Sequence, residues 1–253
     1  MYTMPTIDFS AKSLLGLSQL GFFLCFAYWF GEATETNSGY IFSAFFVASG
    51  LALFLSVPNS RMGVTLGVPG LMIVMGLATG ENEMLFWSIF MLVMFGPVAY
   101  IPALATGDPT LGLEEDDAAK RLGVAWVLFS LLMIFMMSSI VPFAMDGEYA
   151  EESFDGIEYE MTLDSTQQTI AQVGLAVGVL GTLVFILTAF GVELGPMLSW
   201  HGGAMTAASL AIGQLLWLTS DGVMPYNIVA EVVFILSLVG ITSLPPCIAN
   251  RNS

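Results

Sequence analysis

The stretch Ser13–Phe30, SLLGLSQLGFFLCFAYWF, decides how the rest of this sequence is read. It holds eighteen residues without a charge. That is nearly the length of helix needed to cross a hydrocarbon layer about 30 Å thick. A helix resting on a soluble core keeps one polar face, whereas leucine and phenylalanine here occupy every side. Lys12 precedes the stretch and no small-x-small cleavage pattern follows it, so it reads as a retained helix rather than a removable signal.

Seven further apolar segments follow outward from it: Tyr40–Val57, Met62–Ala78, Met84–Leu104, Leu122–Phe143, Thr169–Phe190, Met197–Leu218 and Tyr226–Ile248. Charged residues, glycine or proline bound each of them. Composition agrees, with 56% of residues hydrophobic and 10% charged and a mean hydropathy of +0.82. An ordinary soluble domain is roughly a quarter charged. The expected fold is therefore an all-α integral membrane protein, one polytopic domain whose bundle has about eight transmembrane helices.

The five basic residues fix the expected topology. With eight helices and a cytoplasmic N-terminus, Lys12, Arg61, Lys120, Arg121 and Arg251 all fall inside, as the positive-inside rule requires. Both termini are then cytoplasmic. A count of seven or nine helices would scatter these residues over both faces. The 21 acids leave a net charge of −16, which argues against nucleic acid or a polybasic grip on anionic lipid. Such a balance keeps a surface hydrated in concentrated salt, pointing to the cell membrane of a prokaryote, with a salt-adapted archaeon or bacterium as one source.

Two loops stand out. In Gly107–Arg121 the acids Glu114–Asp117 precede Ala118 and Lys120, as the first turn of a solvated helix would. The outer loop Asp146–Gln168 contains Asp155-Gly156, a favoured hairpin turn, followed by alternating Ile157, Tyr159, Met161 and Leu163. A short extracellular β-hairpin is expected near 153–163, with an apolar side that needs something to cover. Helices four and eight end in the related strings Ile101-Pro102-Ala103 and Leu244-Pro245-Pro246, a weak sign of a 4+4 tandem repeat.

Chemistry-bearing residues are few. Glu231 is the one acid inside an apolar segment, and an uncompensated carboxylate in hydrocarbon is costly, so it is the first candidate for a proton site or transport path. Asn227 lies one turn away on the same face, with Tyr226 nearby. Gln19, Gln172 and Gln214 are neutral polar groups inside helices, suited either to lining a path or to joining helices. Segment three contains Gly67, Pro69 and Gly70, which mark it as a broken or re-entrant helix. Gly63/Gly67, Gly76/Gly80 and Gly174/Gly178 have the spacing that permits close backbone contact, within one chain or between protomers. His201 follows Trp200 beside the membrane interface, as an anchor or a pH sensor.

Other classes are excluded or disfavoured. Cys25 and Cys247 sit at different expected depths and form no disulfide or metal pattern. A single histidine cannot build a bis-histidine haem or a His-based metal site. The pairs Met72/Met75, Met91/Met94 and Met133/Met136 place two sulfurs on one face but lack Cys or His partners, so they read as apolar filler. Neither Lys12 nor Lys120 lies where a retinal Schiff base would need it. Phosphate-loop, zinc-protease and nucleophile-elbow motifs are missing as well. No enzymatic activity, metal or cofactor is therefore expected.

The strings Phe45–Leu51 and Phe86–Phe90, followed by Ile101-Pro102-Ala103, resemble pieces of bacterial urea and amide channels. They cover a small part of the chain, and no residue role is taken from them. Two functions remain open: a small-solute channel or secondary transporter, and a non-catalytic subunit or scaffold of a larger membrane assembly. The expected partners are the lipid bilayer and either further copies of the chain or other membrane subunits.

Overall fold

The structure, a computed structural model, describes residues 11–33, 37–80, 82–106, 141–152, 158–190, 192 and 228–249, together with single helical positions between 124 and 138. It is mostly helical. In chain order come α1 (Ala11–Ala33), α2 (Asn37–Phe54), α3 (Ser60–Met62), a π-helical segment (Gly63–Gly67), α4 (Val68–Thr79) and α5 (Asn82–Thr106). They are followed by α6 (Val141–Met145), β1 (Glu148–Glu152), β2 (Glu158–Thr162), α7 (Ser165–Ala189) and α8 (Ile228–Ala249). The seventh expected segment, Met197–Leu218, and the loop 107–121 lie outside the described residues.

Two helical stretches are long and apolar enough to cross a membrane, Ser60–Thr79 and Ser165–Val184, at 20 residues each. The apolar parts of α1, α2, α5 and α8 are shorter among the described residues.

The core is built round α1, which packs against α2, α5 and α8. Its Phe22, Phe23, Phe26 and Trp29 meet Phe46 of α2, Phe95 of α5 and Phe234 of α8. Ring centroids lie 5.0 Å apart for Trp29–Phe234, 5.2 Å for Phe26–Phe95 and 5.2 Å for Phe46–Phe95. Tilted and edge-on pairs of this kind add to simple area burial.

Small residues let the backbones close on this cluster. A Cβ on Gly21 would collide with Ser237 Oγ, and one on Gly240 would stand 2.8 Å from Ser18 Cβ, so α1 and α8 touch through two glycine–serine pairs. Ser43 Oγ donates to Ala27 O across α1 and α2 at 2.6 Å, and Cys25 Sγ donates to Ala230 O across α1 and α8 at 3.3 Å. The glycines expected to make a close contact behave otherwise. Gly63 and Gly67 have open space where a Cβ would sit, because the π segment turns them outward.

The third helix does not break. Ser60–Thr79 runs through, changing its winding over Gly63–Gly67, just ahead of Pro69. Proline has no N–H and its ring crowds the preceding turn, so a widened turn there absorbs the misfit without ending the helix. The second helix ends at Phe54, short of the expected Val57. Ser56 and Asn59 flank Pro58 with left-handed φ of 52° and 60°, which no helix continues through.

Between α6 and α7 the chain makes an antiparallel strand pair, with Glu148 opposite Thr162, Ala150 opposite Glu160 and Glu152 opposite Glu158. The first strand begins earlier than the expected 153 because Gly147, at φ 72°, lets the chain leave α6 straight into β1. The turn, with Asp155-Gly156, lies outside the described residues. Leu163, the residue after β2, is buried against Phe143, Ala144 and Ala171, where α6 meets α7. Asp164 then caps α7, its Oδ1 accepting the Thr166 and Gln167 amides at 2.8 Å each, while Gln167 Oε1 accepts the Asp164 amide at 3.0 Å.

Candidate functional site

Among the described residues a few polar side chains lie inside while many large apolar ones lie outside. Gln19, Ser49, Thr65, Ser88, Ser130, Thr182 and Ser237 are buried. Val74 and Leu77 of α4, Val173 and Leu180 of α7, and Val229 and Leu236 of α8 face outward. Of the two spanning stretches only 25% and 28% is buried within the molecule. Apolar exposure on this scale belongs against lipid or another protein.

Most interior polar groups are committed to backbone carbonyls. Ser18, Ser88 and Thr182 bond within their own helices, to Leu14, Leu85 and Gly178. Gln19 does more. Its Nε2 donates to Val98 O of α5 at 2.7 Å, in a fully buried position. In an α-helix that oxygen would accept from the amide four residues on, which is Pro102 and has no hydrogen. Gln19 thus replaces the donor that Pro102 lacks.

Gln172 plays the same part elsewhere. Its Nε2 donates to Ala144 O at 2.9 Å, and Gln168, one turn earlier, donates to Met145 O at 3.3 Å. These are the last carbonyls of α6, which no helical amide reaches. Two of the expected path residues are therefore joints between elements, lying on different helices and bonded to different carbonyls.

One hydroxyl is left without a joint. Thr65, 8% exposed in the π segment, has its Oγ1 buried with no hydrogen-bond partner. Its methyl meets α5 where a side chain is missing, 3.3 Å from the Cβ position of Gly96. Beside that contact stand two buried prolines, Pro69 on α4 and Pro97 on α5. Pro97 leaves the Val93 carbonyl without its helical donor. Pro69 does the same to the carbonyl of Thr65 or of Val64, depending on whether the turn is α or π. The Trp29 indole Nε1 is also buried and unpartnered, although the ring itself is enclosed by the aromatic cluster.

The remaining candidates distribute as follows. Glu231 lies in α8, three residues before the buried Phe234. Pro69 is buried, whereas Gly67 is exposed and both Gly67 and Gly70 have open space at the Cβ position. Asn227, Gln214 and His201 lie outside the described residues. Thr65 escaped the sequence reading, which weighed the glycines and the proline of this segment and passed over the threonine among them. The usable signal was a threonine four residues before an intrahelical proline, whose carbonyl loses its routine amide donor. Comparison with protein-family models, curated proteins and solved structures finds no match for this chain.

Proposed function

We propose that this chain is a multi-pass membrane protein of about eight helices that carries a small solute, as a channel or secondary transporter. On this reading both termini are cytoplasmic, the hairpin lies outside, and the membrane is that of a prokaryotic cell. The observation that carries it is the unpartnered Thr65 hydroxyl at a π-helical turn, inside a molecule whose outer surface is apolar. Unsatisfied polar groups in an apolar interior are expensive, and irregular helical backbone at membrane depth is tolerated where it is buried in protein or lines a cavity. Glu231, one turn before the buried Phe234 of α8, is the residue proposed to hold a proton or orient the solute.

A second reading has its own support. Gln19 and Gln172, which would line a path, are already engaged by backbone carbonyls, as a scaffold subunit would have them. One experiment separates the two. The protein is extracted in mild detergent, its native mass is measured, and it is reconstituted into vesicles for solute flux. A small multiple of 27.1 kDa plus detergent, with flux that Glu231→Gln changes at unchanged folded yield, is the expected result. A fixed set of other chains, with no flux from the isolated protein, gives the scaffold reading instead.

A further inference from the structure

We infer that the contact between the π segment and α5 is a binding site for a small monovalent cation, held on neutral oxygens that the prolines have freed. The transport reading supplies the site's purpose, as a coupling ion, but binding is measurable without it. Thr65 Oγ1 is buried and unpartnered, and the same side chain touches α5 at Gly96. A helical carbonyl points along the axis toward the amide four residues on, so the oxygen of Val93 lies at the level of Pro97, next to Gly96. The carbonyl freed by Pro69 belongs to Thr65 itself or to its neighbour Val64. The unpartnered Thr65 hydroxyl and two carbonyls whose helical donor would be a proline thus belong to two helices that touch at Thr65 and Gly96.

What they lack is positive charge. Neither proline has an N–H, and the Thr65 O–H, the one donor in this set, can serve a single acceptor, so the remaining lone pairs call for a cation. The Gly63–Thr79 and Val93–Pro97 segments contain no carboxylate. Divalent ions are held mainly by carboxylates, whereas carbonyl and hydroxyl oxygens alone suit a monovalent ion that sheds part of its hydration. Helix irregularities whose freed carbonyls coordinate Na+ at mid-membrane depth are a known physical solution to ion coupling. Gly96 is what allows it: any larger residue would stand between Thr65 and the α5 backbone.

The test is thermal unfolding of the full-length protein in detergent, with sodium chloride exchanged for choline chloride at constant ionic strength. Wild type is expected to gain stability with Na+ in a saturable way, and Thr65→Ser to retain the gain. Thr65→Val should lose it, its half-saturating Na+ concentration rising on the order of tenfold or more. Pro97→Ala guards against a variant that merely misfolds. It restores the amide donor to Val93 and should firm the helix while weakening the Na+ response, opposite signs that a packing role alone would not produce. Stabilisation that choline reproduces, or that Thr65→Val retains, overturns the site and leaves a water-filled or empty turn. Lost flux with the Na+ response intact would instead count against the transport reading alone.

Discussion

At the scale of single residues, the clearest division of labour is between amides that repair helices and the Thr65 hydroxyl, which among the described residues is buried without a partner. Gln19 donates to the Val98 carbonyl that Pro102 leaves open. Replacing it by leucine should cost about 1–3 kcal/mol, the penalty for a buried acceptor without a donor. Adding Pro102→Ala to that variant should recover part of the loss, because residue 102 then brings its own N–H. Unfolding of the two single variants and the double in detergent gives the coupling energy directly; simple additivity would refute the link. The sequence showed Gln19 as a polar residue in an apolar helix but gave no hint of which carbonyl it serves. That depends on α1 and α5 lying side by side, and the bonded pair is 79 residues apart.

Helices and strands were more legible than their partners. Apolar runs placed α1, α2, α5, α7 and α8 to within a few residues, since exclusion from water acts along a whole segment and needs no knowledge of the neighbours. Local chemistry that reaches only a few residues also came through in part. Asp155-Gly156 pointed to paired strands beside α7, while the entry of β1 was missed because it depends on the backbone conformation of Gly147. Contacts between helices were not legible in this way. The glycines with the familiar spacing, Gly63 and Gly67, touch nothing, while Gly21 and Gly240, which form no motif, bring α1 and α8 together. Gly240→Ala should therefore push the helices apart and destabilise the protein by about 1–3 kcal/mol, as overpacking does. Ser18→Gly in the same chain should relieve it. The same pair of substitutions at Gly63 and Ser18 should show no such rescue, and midpoints of thermal aggregation would distinguish the cases.

At the scale of the whole molecule, many large apolar side chains among the described residues face outward round an aromatic core, with Gln19, Ser88 and Thr182 buried inside. The protein should accordingly stay with the membrane fraction after an alkaline wash and enter solution only with detergent. Release by alkali would show that the apolar faces of α4 and α7 are covered by protein instead of lipid. Composition alone foretold this arrangement, because it is a property of the sum of side chains. The solute, if one is carried, left no such trace: a path is made by a few oxygens whose convergence only the folded chain determines.

The α1–α8 contact also sets an order in time. Cys25 and Ala230, bonded across it, are separated by 205 positions, so synthesis delivers α1 long before the helix that seals its aromatic face. During that interval Phe22, Phe26 and Trp29 must be sheltered by lipid or by a chaperone, and the core closes only when α8 arrives. The core around α1 is thus completed by its latest-made contact, and a chain shortened before α8 would leave that aromatic face uncovered.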